Sequence, residues 1–333
     1  MADTAIQKTI AHYQRAEVKQ IITKFCQLAE NEWRALNGDE GWYIGADTGG
    51  IRLRTPDDYD ATTNKYRTVY ALLDIFMPSV KTQSTQWDSI KNEAYETLGT
   101  LRETTAYTLG ADIDSIAHDM KKPEIKAAVE ALAGYLFKKL KDAGIEKSVH
   151  CLMSGGGIYV LLHHEMCRCP EELIGADREI FFRTRLDAFK MFLADVEHAF
   201  YEDHNDLREV VKIDKLTNQK RKFKCICSYH KKLDLAVIPL DPANLVVDFA
   251  KAKLPLRDYV LAECASWYGT YAPEEFPGSL SRPTTPSATR PSRPPRPLST
   301  WWPAPMPSRR RWLSSWTARR MLSLSTRMPA QRR

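Results

Sequence analysis

Hydrophobic positions in the first 275 residues of the chain follow two different spacings. Helices are predicted where apolar residues recur every three or four positions: residues 7–37, 66–76, 86–101, Pro123–Ala143 and Ile180–His204. Strands are predicted where short apolar runs are bounded by turn residues: Trp42–Gly45, Tyr107–Asp114, Ser148–Met153, Ile158–His163, Val210–Asp214, Phe223–Ser228 and Leu235–Leu240. This mixture predicts a mixed α/β (α+β) fold class without internal repeats.

The pattern stops near residue 275. Residues 276–333 hold 11 of the chain's 19 prolines and 12 arginines, with no Lys, Asp or Glu. Because the segment has no sustained hydrophobic period, it is predicted to be a disordered Pro/Arg/Ser-rich tail that follows a catalytic domain over residues 1–275. One interpretation is a basic arm that binds nucleic acid. The interpretation we favour is an out-of-frame reading of GC-rich DNA, which would produce arginine without lysine.

The net charge changes once the tail is set aside. The whole chain has 48 basic and 42 acidic residues, a formal charge of +6, and removing 12 arginines leaves 36 against 42, or −6. A nucleic-acid partner must therefore be argued from local patches. Seven cysteines, an odd number, do not suggest a disulfide scaffold and favour a reducing, cytoplasmic location. No apolar run is long enough for a membrane span, and no secretory signal is recognised.

Two carboxylates stand one residue apart in the segment Asp112-Ile113-Asp114. In a strand, such residues point to the same face, so the two charges need a cation between them. Oxygen ligands suit Mg²⁺ or Mn²⁺. The alternative is a solvated strand end, since Asp-x-Asp pairs are common.

A run of small residues, Ser154-Gly155-Gly156-Gly157, follows the next predicted strand. Its backbone N–H groups could hold a phosphate. The segment lacks the helix of a dinucleotide fingerprint and the lysine of a P-loop. Taken alone, it is better explained as a glycine-rich hairpin turn.

Basic residues cluster around a third carboxylate, Asp214, and a Ser228-Tyr229-His230 segment. Lysine, serine and histidine can all donate hydrogen bonds to phosphate oxygens, so the cluster could bind a triphosphate and a template backbone. The alternative is a solvated, charge-rich hairpin. The basic residues are Lys212, Lys215, Lys220, Arg221, Lys222, Lys224, Lys231 and Lys232.

Taken in order, these segments resemble the archaeo-eukaryotic primase superfamily, which includes primase small catalytic subunits and primase-polymerases. The family pattern is hydrophobic-Asp-hydrophobic-Asp, then Ser-Gly-x-x-Gly-x-His, then a third Asp, then a Lys or Arg ahead of Ser-x-His. Here the matching residues are Asp112, Asp114, Ser154, Gly155, Asp214, Lys224, Ser228 and His230. The resemblance covers about residues 40–255. It implies a catalytic core in which an α/β unit joins an RNA-recognition-motif-like unit, with the active site between them.

The resemblance also implies an activity, template-directed nucleotidyl transfer, and a role for each matching residue. Asp112, Asp114 and Asp214 would hold two Mg²⁺ or Mn²⁺ ions, with Asp234 as the substitute if Asp214 is not the third ligand. The partners would be a single-stranded DNA template and nucleoside triphosphates, with a primase large subunit or a helicase as a further candidate partner. The triphosphate would be bound by Ser154, Gly155, Gly156, Gly157, Tyr159, Lys224, Ser228 and His230.

The chain departs from the family pattern at Tyr159: when Gly157 is matched to the second glycine, the segment is one residue shorter and Tyr159 stands where the family has histidine. A phenol donates a hydrogen bond but has no positive charge near neutral pH, so His163 or His164 would have to compensate. Two alternative functions follow. The tyrosine at position 159 is consistent with a catalytically weak protein that binds nucleotides or nucleic acid, and the carboxylates are consistent with a metal-dependent nuclease. A structural zinc site on His163, His164, Cys167 and Cys169 is not favoured, because Cys167-x-Cys169 is a tight spacing and the chain has no Cys-x-x-Cys pair. Cys225-x-Cys227 is predicted to be core.

Overall fold

The computed structural model describes most of the chain up to Glu275. The described residues are 8, 11–29, 32–38, 43–45, 50–52, 68–76, 101–117, 119–217, 221–230 and 233–275. The predicted helix over 86–100 and the predicted tail over 276–333 lie outside these residues, so both stay predictions.

The described residues form a mixed α/β fold with antiparallel sheets, which confirms the predicted class at that level. The helices are α1 (Ala16–Cys26), α2 (Pro123–Asp142), α3 (Gly175–Asp203) and α4 (Asp258–Ser266), with 3-10 turns at His164–Cys167, Asn205–Leu207 and Pro273–Glu275. The strands are β1 (Gln27–Ala29), β2 (Glu32–Gly38), β3 (Tyr43–Gly45), β4 (Gly50–Arg52), β5 (Val69–Phe76), β6 (Thr104–Tyr107), β7 (Gly110–Ser115), β8 (Val149–Met153), β9 (Gly157–Leu162), β10 (Val211–Leu216), β11 (Lys222–Lys224), β12 (Tyr229–His230), β13 (Leu235–Ala236) and β14 (Ile238–Leu240).

Two five-stranded sheets organise these elements. The first, called the central sheet below, has the order β10-β7-β9-β8-β14. The second sheet has β5 at its middle, which pairs with β2, with β11 near Tyr70 and with β6 near Asp74. Because β6 and β7 are separated by only two residues, the chain passes directly from the second sheet into the central one.

Helices α2 and α3 pack against the central sheet. The start of α2 at Pro123 matches the prediction, because proline lacks only an N–H that the first helical turn leaves unbonded. Its buried residues include Val129, Leu132 and Leu136, and the helix contacts β7, β9, β10 and α3. On β7, Ala111 and Ile113 are fully buried and alternate with Asp112 and Asp114. The carboxylates therefore point to the opposite face from these core residues.

The last described residues are tied to the central sheet. The indole N–H of Trp267 donates to the Cys151 carbonyl at 3.1 Å, and the carboxylate of Glu275 accepts bonds from the backbone N–H groups of Glu146, Lys147 and Ser148 at 2.8 to 3.1 Å. Trp267 and Glu275 are thus bound to β8 and to the residues that precede it.

One of the predicted helices is wrong, and another is too long. Residues 69–76 form β5, whose apolar run Val69, Ala71, Leu73 and Ile75 is buried between strand partners. A short, continuous apolar run fits a buried strand as well as a helix, and pairing with β2, β6 and β11 decides for the strand. Likewise, the predicted helix over 7–37 ends at Cys26, and β1 and β2 follow it.

The seven cysteines are all buried free thiols. Among the described residues, no helix has the length and apolar character that crossing a membrane requires.

Candidate active site

The three predicted carboxylates lie on adjacent strands of the central sheet. Asp112 and Asp114 alternate along β7, as the strand spacing predicts. β10 runs antiparallel to β7 with Asp214 directly opposite Asp112, and Lys212 opposite Asp114. Directly opposed side chains have Cβ atoms about 4.5–5.5 Å apart and share one face. The substitute ligand, Asp234, instead lies in the turn between β12 and β13 and pairs with Lys8 at 3.4 Å.

Asp112 has an unusual electrostatic environment. Burial raises the pKa of its carboxyl from 3.8 to about 7, and the charges of Asp114 and Asp214 raise it as well, while Lys224 and Arg221 oppose the change. Its Oδ1 is closed off from solvent and accepts no hydrogen bond within the described part of the chain. A buried oxygen of this kind is costly unless a proton or a cation satisfies it.

Lys224 is the cation that reaches these carboxylates from the second sheet. It lies on β11 opposite Tyr70 of β5. Burial lowers the pKa of its ammonium, whereas the charges of Asp112 and Asp114 raise it. Its Nζ lies 5.9 Å from the centre of the Tyr159 ring. Lys224 therefore lies within electrostatic reach of the carboxylates, and its role in triphosphate binding stays a prediction.

Tyr159 stands beside Asp112 on the other neighbouring strand, β9. Its ring packs edge-on against Phe223 with centroids 5.8 Å apart, and its hydroxyl accepts the backbone N–H of Lys224 at 3.4 Å. Burial, with the charge of Asp112, raises the pKa of the phenol well above its usual value of 10.0. Tyr159 is thus neutral and joins the two sheets at the position where the family pattern has histidine.

The glycine segment is the turn of the β8–β9 hairpin, as its composition alone suggested. Ser154 closes this turn, because its backbone N–H donates to the Gly157 carbonyl at 2.9 Å and its hydroxyl accepts the Gly157 N–H at 3.2 Å. Gly155 has a φ of +91°, and a Cβ there would lie 3.1 Å from Cδ2 of His230. A Cβ on Gly156 would lie 3.6 Å from Oδ1 of Asp114. The turn therefore touches both a predicted metal ligand and a predicted phosphate ligand.

Gly157 is required by a close approach of two strands. A Cβ at this position would lie 2.1 Å from the carbonyl oxygen of Ile113 on β7, which is backbone and cannot move aside alone. We expect Gly157→Ala to lower the free energy of unfolding by about 3 kcal/mol, at the upper end for an overpacked site. Urea unfolding would measure it.

Gly134→Ala is the matched control, since nothing lies within 4 Å of a Cβ at this position on α2. Alanine is a better helix former, so this variant should be more stable by about 0.5–1 kcal/mol. Equal stability of Gly157→Ala and wild type would mean that β7 and β9 do not pair in this register.

Ser228 is deeper in the protein than a phosphate ligand would be. Its side chain is fully buried, and its hydroxyl accepts the backbone N–H of Val69 at 2.8 Å. The predicted strand over 223–228 is interrupted here: Ser228 N–H donates to the Cys225 carbonyl at 2.9 Å across a turn in which Cys227 has a φ of 60°. Ser228 thus joins this turn to β5, and the turn leads into β12 and half-buried His230.

Arg221 was not among the predicted site residues. Its Nη2 forms an ion pair with Oδ2 of Asp214, and the two side chains are 37% and 45% exposed. The basic composition of residues 215–224 predicted positive charge in this region. It could not predict which of the basic side chains pairs with Asp214. Lys212 is exposed opposite Asp114, whereas Lys215 pairs with Glu197 of α3 at 2.5 Å.

Carboxylate oxygens, such as those of the three predicted aspartates, are the chemical type of ligand that a hard divalent cation prefers. The side-chain oxygens of Asp112, Asp114 and Asp214 share a face, and the Asp112 Oδ1 lacks a partner among the described residues. The Asp214 carboxylate is turned to Arg221. Within the described ranges, no three His, Cys, Asp or Glu side chains are grouped so that they could hold a metal ion.

The second predicted cluster, around His163 and Cys167, belongs to the core. His163 stacks on the rings of Tyr268 and Tyr271, with centroids 4.7 and 4.6 Å away. Burial lowers the pKa of His163 to about 2 and also lowers that of His164, so neither adds a positive charge in place of a histidine at Tyr159.

No protein-family model matches this sequence, and comparison with curated proteins finds no significant match. The resemblance to the primase superfamily therefore depends on the motifs and on the geometry that surrounds them.

Proposed function

We propose that the protein is a nucleotidyltransferase that joins nucleoside triphosphates on a single-stranded DNA template, by priming or by primer extension. The observation that carries this proposal is that segments far apart in the sequence meet on one face of the central sheet. Asp112 lies between Asp214 and Tyr159, with Lys224 beside it and the glycine turn next to Asp114. The two joined sheets are compatible with an α/β unit and an RNA-recognition-motif-like unit.

In this proposal Asp112, Asp114 and Asp214 hold two Mg²⁺ or Mn²⁺ ions. When bound, these ions would activate the primer 3′-hydroxyl and neutralise the leaving pyrophosphate. The three carboxylates set the charge of the site. The Oδ1 of Asp112 is buried and two like charges lie nearby, so ionisation of this carboxyl is unfavourable and a bound cation would relieve it.

The phosphates of the nucleotide are proposed to lie along the glycine turn. Gly155 lies against His230, Gly156 lies near Asp114, and Lys224 is close enough to Asp112 and Asp114 to feel their charges. Ser154 and Gly157 shape the turn, and Ser228 holds the Cys225–Ser228 turn that precedes His230. Tyr159 positions the backbone of Lys224 through its hydroxyl.

The reaction is a displacement at the α-phosphorus. The 3′-hydroxyl oxygen forms a bond to phosphorus and loses its proton to solvent, while the bond to the bridging oxygen breaks and pyrophosphate leaves with that electron pair. The chain's residues contribute by orientation and charge: the carboxylates act through the ions that they would hold, and Lys224 and His230 through the phosphates.

The test is incubation of the purified chain with a primed or unprimed template, labelled nucleoside triphosphates and Mn²⁺. A nucleotidyltransferase makes longer labelled products. A metal-dependent nuclease, built on the same carboxylates, would shorten the strand. A binding protein would shift the DNA or the nucleotide without changing its length, and either of these results would overturn the proposal.

The binding-only alternative has one specific observation in its favour. At the position of the family's histidine, Tyr159 is a buried, neutral phenol, and His163 and His164 do not replace that charge. Tyr159→His separates the two functions: a gain in nucleotide incorporation supports a weak enzyme, whereas no incorporation in either form supports a binding protein. A partner subunit, a helicase and a cytoplasmic location all remain proposals.

A further inference from the structure

Arg221 forms an ion pair with Asp214, one of the three carboxylates on which the proposed function depends. Its Nη2 contacts Oδ2 of Asp214, whose neighbour across the strands is Asp112. A guanidinium that holds a carboxylate oxygen competes with any metal ion for that oxygen, because both are cations that need the same lone pairs.

The ion pair between Arg221 and Asp214 is weak enough to be broken at low cost. Both side chains are more than one third exposed, at 37% and 45%, and pairs of this kind contribute little to stability. The Nε of Arg221 is buried and has no acceptor among the described residues, so the contact lacks the two parallel bonds of the strongest Arg–carboxylate pairs.

The backbone of Arg221 is held independently of its side chain. Its carbonyl oxygen accepts the backbone N–H of Leu73 on β5 at 3.2 Å, and β11 begins at the next residue. The guanidinium can therefore leave Asp214 by side-chain rotation, without unpairing the strand that carries Lys224.

We propose that Arg221 is a latch on the metal site: it neutralises Asp214 in the metal-free protein and must be displaced before a divalent cation takes that carboxylate. This inference rests on the proposed function, since it assumes that Asp214 is a metal ligand. Arg221 then weakens metal binding through Asp214 and acts as a positioning residue for that carboxylate.

The experiment measures Mn²⁺ binding by the loss of the free-ion electron paramagnetic resonance signal, without nucleotide and without turnover. Four proteins form a double-mutant cycle: wild type, Arg221→Gln, Asp214→Asn and the double variant. Arg183→Gln is the matched control, because Arg183 also pairs with a carboxylate, Glu179, but on α3. Circular dichroism and thermal melting check that each variant is folded.

Arg221→Gln should bind Mn²⁺ about threefold more tightly than wild type, as expected when a weak, half-exposed ion pair is removed. The same change in the Asp214→Asn background should have no effect, and Arg183→Gln should bind like wild type. If Arg221→Gln raised the Mn²⁺ affinity equally in the wild-type and Asp214→Asn backgrounds, Arg221 would act only by repelling the cation at a distance. That result would overturn the latch.

The result also separates the latch from the proposed function. If wild type binds Mn²⁺ and Arg221→Gln does not change the affinity, the latch alone is wrong. If neither wild type nor Arg221→Gln binds Mn²⁺ at millimolar concentration, the metal site fails, and the latch with it.

Discussion

Asp112→Asn is expected to abolish nucleotide incorporation while leaving the protein folded. Asp112 neighbours both of the other predicted metal ligands, because it lies opposite Asp214 on β10 and two residues from Asp114 on β7. Its amide replacement keeps the shape but cannot supply a charged oxygen to a cation, so the rate should fall by about a thousandfold or more, as for other residues that act as a unit in catalysis. Primer-extension rates with Mn²⁺ measure the effect. Asp195→Asn, at an exposed position on α3, is the control and should retain activity.

The same variant should be more stable than wild type without metal. Since the folded-state pKa of Asp112 is raised from 3.8 to about 7, ionising this group opposes folding, and the penalty grows as the pH rises from 3.8 to about 7. Asp112→Asn should therefore gain more stability at about pH 8 than at about pH 5. Wild-type activity in Asp112→Asn would contradict the assignment of metal ligands, and a lower melting temperature at both pH values would contradict the buried charge.

Acidification from pH 6.5 towards pH 4 is expected to destabilise the protein through its buried histidines. Burial lowers the pKa of His12 and His150 from 6.5 to about 4 and that of His163 to about 2. Below pH 6.5 the unfolded chain takes up protons at these sites and the folded protein does not, so stability is complete above this value and is lost as the pH falls towards 4. Each histidine contributes about 1.4 kcal/mol per pH unit in that range.

Asp112 has the opposite effect on stability over the same pH interval. As the pH falls, its carboxyl binds a proton in the folded protein, with a pKa of about 7, before it does so in the unfolded chain, with a pKa of 3.8. The net difference is about two protons, so the free energy of unfolding should fall by about 2–3 kcal/mol between pH 6 and pH 5. Urea unfolding at several pH values, without metal, measures this slope.

His150→Gln should reduce the slope by about one proton. His198→Gln is the matched control, because it replaces an exposed histidine on α3. A slope that is the same in wild type and His150→Gln would mean that His150 is protonated in the folded protein.

Local patterns in the sequence were sufficient for part of the fold and of the candidate site. The two-residue period put Asp112 and Asp114 on one face, and the apolar spacing with Pro123 placed α2. Glycine composition identified the turn at Gly155, whose φ of +91° strains residues other than glycine. Each of these features depends on residues close in sequence, so the pattern contains the required information.

Only the tertiary structure decided how the segments meet. The β7–β10 register placed Asp214, and not Asp234, opposite Asp112. Burial removed Ser228 from the surface, and strand pairing made residues 69–76 the strand β5. It also joined Arg221 to Asp214. Register, burial and ion pairing are set by contacts between residues far apart in the chain, and such contacts leave no period in the sequence from which they could be predicted.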